Sequence, residues 1–85
     1  MAPDVFTSAS GTYAVETRER WYDSHDLAQI RERAGSMGPT VTPVILLEGG
    51  TREPVEHAGV WIVPRVHFVR WLTARSTASQ LVRAS

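Results

Sequence analysis

The sequence contains no cysteine, which removes disulfides, thiolate zinc sites, cysteine nucleophiles and iron–sulfur clusters together. A reduced, cytoplasmic setting fits such a chain. Lysine is also missing, so that all nine basic residues are arginine; this bias carries no functional weight by itself. Nine acidic residues balance them to a formal net charge of zero, which excludes a broad cationic surface for holding nucleic acid non-specifically. Any such binding has to come from local clustering. Long apolar runs are lacking too: Val44-Ile45-Leu46-Leu47 and Val60-Trp61-Ile62-Val63 fall far short of the roughly 18 residues of a membrane span. The N-terminus has neither the basic start nor the apolar core of a secretory signal.

What is present amounts to 85 residues with 42% hydrophobic and 21% charged content. Those are globular proportions, and the length suits one small domain that buries only about 60% of its unfolded surface. Asp4-Val5-Phe6-Thr7 and Thr12-Tyr13-Ala14-Val15-Glu16-Thr17 are rich in β-branched and aromatic residues, with turn chemistry in Ser8-Ala9-Ser10-Gly11 between them, so they read as a β-hairpin. Leu27, Ile30, Ala34 and Met37 then recur at helical spacing. Ser24 serves as N-cap, Gly35 and Gly38-Pro39 as stop, and the helix spans about 25–36.

Val41 to Leu47 is a strand-length apolar stretch with Pro43 near its start, and it reads as a buried strand. Strand, helix and buried strand in succession imply a parallel crossover, and hence an α/β or α+β fold. Gly59 to Val63 forms a further short strand, and Pro64-Arg65 opens a second helix that buries Val66, Val69 and Leu72 together with Phe68 and Trp71. The small, weakly patterned residues 76–85 read as a fraying, flexible tail behind a domain of residues 1–75.

Chemistry centres on the hairpin. Asp4 and Glu16 lie on its two strands, and Arg18 shares a strand face with Glu16. Two registers are open. A five-residue loop sets Asp4 opposite Glu16, whereas a four-residue loop pairs Asp4 with Val15 and turns Glu16 away. In the first register the two carboxylates, with Cβ atoms about 5 Å apart, suit a magnesium ion that takes its remaining ligands from water and phosphate oxygens. Such an ion lowers the pKa of a bound water and neutralises charge at a scissile phosphodiester, with Arg18 beside it as charge partner.

Pro3-Asp4, eleven further residues and then Glu16-Thr17-Arg18 resemble the PD-(D/E)xK signature of restriction-endonuclease-like nucleases, with Arg in place of the usual Lys. The longer succession from Asp4 to Leu72 is similar to the nuclease-related domain known as NERD. It includes Gly11-Thr12-Tyr13-Ala14-Val15, a helix bearing Gln29, Thr42-Pro43-Val44-Ile45-Leu46-Leu47-Glu48-Gly49, and Gly59-Val60-Trp61-Ile62-Val63 ahead of Trp71-Leu72. The resemblance implies a restriction-endonuclease-like core, a magnesium-dependent DNA nuclease activity, Asp4 and Glu16 as metal ligands joined by the Thr17 carbonyl, and Gln29 as an auxiliary residue.

Two departures qualify what it implies. Arg18 keeps the charge but, with a pKa above about 12, is barred from acting as a base. Members of the superfamily place a helix and a strand before the motif aspartate, where this sequence has Met1-Ala2-Pro3; the chain therefore reads as N-terminally truncated, with an uncovered sheet face open to a protein partner or a second copy. The competing function is a non-catalytic module binding DNA or protein through that face.

Other residues read more plainly. Arg31 and Arg33 fit a solvated helix face interspersed with Glu32. His25, His57 and His67 have no metal-binding spacing, Gly49-Gly50 lacks the residues of a phosphate loop, and Ser24-His25-Asp26 is too contiguous to be a triad. Trp61 and Trp71 read as core. Trp21-Tyr22, next to Arg18 and Arg20, keeps a claim to nucleic-acid contact.

Overall fold

The computed structural model describes the backbone of residues 4–8, 10–50 and 52–84 and the side chains of residues 5–8, 10–50 and 52–76. Five strands, β1 (Asp4–Ser8), β2 (Gly11–Arg18), β3 (Thr42–Leu47), β4 (Val55–His57) and β5 (Val60–Pro64), form one mixed sheet in the order β1-β2-β3-β5-β4. Helix α1 (Ser24–Met37) connects β2 to β3, which pair in parallel as the crossover pattern requires. A 3₁₀ turn at Arg65–His67 leads into α2 (Phe68–Ala84), which continues into the segment read above as a tail.

Alternation along the strands sorts the core into two layers. Ala14, Ile45, Val60 and Ile62 face Leu27, Ile30 and Ala34 of α1, while Tyr13, Val15, Val44 and Val63 face Phe68 and Trp71 of α2. The sheet face expected to be bare is thus covered by α2 across β2, β3 and β5. Val5 and Phe6 of the edge strand β1 stay exposed.

Three local expectations need correction. The N-cap of α1 is Asp23 rather than Ser24: its side chain accepts from Asp26 N at 2.9 Å while Asp26 Oδ2 accepts from Asp23 N at 3.1 Å, a reciprocal capping box. Helix α2 buries Phe68 and Trp71 and leaves Val69 75% exposed, as the 3₁₀ turn before it leaves Val66 67% exposed, because the bulkier aromatic stripe removes more apolar area from water. The third concerns β4, which the sequence reading lacked. It pairs with β5 through Ala58-Gly59, both at positive φ (53° and 81°), the backbone of a two-residue type I′ hairpin.

Candidate functional site

The hairpin adopts the second of the two registers. Asp4 pairs with Val15 and Ser8 with Gly11, so Asp4 shares a register position with a residue of the α2 layer. Glu16 follows Ala14 on the α1 side and pairs with Ile45. Asp4 and Glu16 therefore do not stand opposite one another; the side chain of Asp4 lies outside the described residues.

Glu16 is buried, at 9% exposure, and arginine surrounds it. Arg33 of α1 donates to Oε1, and the Arg18 guanidinium stands 3.7 Å from Oε2, which accepts no hydrogen bond among the described residues. Arg18 is shared: its Nε and Nη2 donate to Asp26 Oδ1 at 3.1 and 2.9 Å, and its Nη1 donates to the Thr17 carbonyl at 2.9 Å. The Asp23 backbone N–H, followed by Arg18, holds the Asp26 carboxyl below the usual carboxylate range.

Two of the residues implied as metal ligands are thus engaged by guanidinium groups, Glu16 by Arg33 and Arg18 and the Thr17 carbonyl by Arg18. Among the described residues no group of three or more His, Asp or Glu could hold a metal ion. Gln29 is half-buried on α1, three residues after Asp26 and four before Arg33, on the stripe that meets Glu16. Sequence reasoning missed Asp26 as the partner of Arg18, although an acidic residue in the first turn of the helix after β2 was the available signal. Arg33, read as solvated, instead turns inward to Glu16. Arg31 donates to the Ala58 carbonyl at 3.0 Å and ties α1 to the β4–β5 turn.

A second feature lies where β2, β3 and β5 end together. In open sheets with parallel strands, the carboxyl ends of the strands are the habitual place for ligands. Here a crevice of about 600 Å³ is lined by Arg20, Trp21, Tyr22, Gly49, Gly50 and Arg52, among others. Beside it lies a shallower hollow of about 390 Å³ that includes Arg18, Glu19 and Asp26. The other arginines with described side chains are committed within the chain. Arg65 binds Glu48, Arg70 binds Glu53, and Arg75 donates to the Tyr13 hydroxyl and lies against the rings of Tyr13, Trp61 and Trp71. Arg20 and Arg52 form no ion pair with a described residue, and both line the crevice.

No family model matches the chain, and neither the curated proteins nor the solved structures contain a match to it.

Proposed function

We propose that this chain is a nuclease-related domain whose metal-binding end has become an arginine-locked ion network, and that it acts as a DNA-binding module without cutting DNA on its own. One observation carries the reading: Glu16, the carboxylate that the PD-(D/E)xK resemblance makes a metal ligand, is buried against Arg33 and Arg18. A dication placed there would have to displace a charge-assisted hydrogen bond and stand beside two guanidiniums. Arg20 and Arg52, without an ion pair among the described residues, supply cations for phosphate contact that the balanced net charge does not.

The test is incubation of the purified chain with plasmid and linear DNA at increasing magnesium, alongside DNA binding by fluorescence anisotropy. The expected result is salt-sensitive binding with the DNA left intact. Magnesium-dependent cleavage abolished by both Glu16→Ala and Asp4→Asn would overturn the reading and restore Asp4, Glu16 and the Thr17 carbonyl as metal ligands. Absence of DNA binding would leave a protein-interaction module.

A further inference from the structure

We infer that the crevice at the carboxyl ends of β2, β3 and β5 is a binding site for single-stranded DNA, with the Trp21 indole as stacking platform and Arg20 and Arg52 as phosphate contacts. This deepens the DNA-binding reading above and rests on it, by naming the form of DNA and the residues that receive it.

Burial distinguishes the three tryptophans. Trp71 is buried and Trp61 half-buried in the α2 layer, whereas Trp21 is 73% exposed, the most exposed aromatic side chain among the described residues. An indole in water at the lip of a crevice lacks the packing that accounts for the other two. Its chain neighbour Arg20 lies against a residue with no side chain. A Cβ on Gly49 would stand 3.1 Å from Arg20 Cγ and 3.1 Å from the Glu19 carbonyl oxygen, and that oxygen already accepts from Gly49 N at 2.7 Å. The bare Gly49 therefore lets the strand end and the Arg20 stem close together over the crevice.

Charge and shape then select the ligand. The acid on the lining, Glu53, faces Arg70 at 3.3 Å, which leaves Arg20 and Arg52 as the lining charges without a described counter-ion. A planar π-face beside two cations is what an unpaired base and its flanking phosphates require. A duplex keeps its bases stacked inside and offers Trp21 only its backbone. Glu19, in the adjoining hollow and in no described ion pair, opposes a polyanion and sets the limit of the site on that side.

The experiment is anisotropy titration of a labelled oligo-dT of about 12 nucleotides, and of a duplex of equal length, with the full chain. The expected result is tighter binding of oligo-dT, weakened about tenfold by Trp21→Ala and largely restored in Trp21→Phe. Arg20→Gln and Arg52→Gln should each lower the slope of log affinity against log salt by about 0.7. Gly49→Ala should weaken binding by displacing Arg20, and Glu19→Gln should strengthen it. Because Trp21 is exposed, circular dichroism of the Trp21 variants should match the parent. Duplex and oligo-dT bound alike, with Trp21→Ala at parental affinity, overturns the crevice assignment while the broader DNA reading stands. No binding of either DNA overturns both. Equal binding of a poly-glutamate chain reduces the site to unspecific anion attraction and overturns the assignment to nucleic acid.

Discussion

Arg33 reaches from α1 to Oε1 of the buried Glu16 on β2, while Glu16 Oε2 has no hydrogen bond among the described residues. Among the described residues the carboxylate therefore depends on Arg33 for its one direct donor, with Arg18 farther off at 3.7 Å. Removing that donor strands a charge in the α1–sheet interface. Arg33→Met should destabilise the chain by about 1–3 kcal/mol, less than for a fully enclosed pair because Arg33 is partly solvated. Adding Glu16→Leu to Arg33→Met should recover most of the loss, since the uncompensated charge goes with it. Urea unfolding of the two variants checks both statements.

Asp26 makes stability pH-dependent with a definite sign. Its folded-state pKa is lowered, first by the Asp23 backbone N–H and then by Arg18. A carboxyl depressed in the folded state contributes stability that is fully present above its unfolded value, about 3.9, and lost as pH falls through the folded value. Asp26→Asn should therefore be less stable than the parent at pH 6, with the gap narrowing steadily below pH 4. Parallel denaturation curves at several pH values measure that gap.

Arg75 holds α2 to the sheet. Its Nε donates to the Tyr13 hydroxyl at 3.0 Å, and its guanidinium lies 5.0 to 5.7 Å from the centroids of Trp71, Trp61 and Tyr13. Arg75→Ala should lower stability by about 1–2 kcal/mol, with Arg75→Lys intermediate because it keeps the charge and loses the planar fork. Thermal unfolding followed by tryptophan fluorescence reads the effect, since Trp61 and Trp71 sit at the contact.

Ala58 occupies left-handed backbone at φ 53°, ahead of Gly59 at φ 81°. Ala58→Asn should stabilise the β4–β5 hairpin by about 0.5–1 kcal/mol, because Asn tolerates that conformation and Asn-Gly is the favoured type I′ pair. The reverse holds at the next position, where Gly59→Ala should destabilise by about 1 kcal/mol or more. A chemical denaturation midpoint moving in opposite directions for the two variants is the expected outcome.

The core elements were legible where one physical signal dominated. The period of Leu27, Ile30 and Ala34, and the unbroken apolar run around Val44 and Ile45, gave α1 and β3 because burial fixes those patterns. Strand β4 was hidden because Val55-Glu56-His57 is exposed and its turn uses Ala-Gly rather than Asn-Gly. The burying face of α2 was misread because the valines and the aromatics offer competing stripes, and only packing decides between them. The hairpin register depends on one residue of loop length, which propensity does not resolve. The sequence singled out Glu16 and Arg18 as a metal ligand and its charge partner; that they share an ion network with Asp26 and Arg33 follows from α1 crossing β2, a contact with no local signature.

The position of β3 governs how the molecule assembles. It is the one strand with a parallel neighbour on either side, β2 and β5, and each neighbour belongs to a short antiparallel ribbon that sequence-adjacent residues can form unaided. Isolated ribbons are marginal in water, so neither half persists until β3 slots between them, and closing those distant pairings costs loop entropy before it returns any stability. Folding should thus be slow for a chain of this size and concerted in its last step, and Ile45→Pro should abolish the sheet as a whole rather than weaken one edge of it.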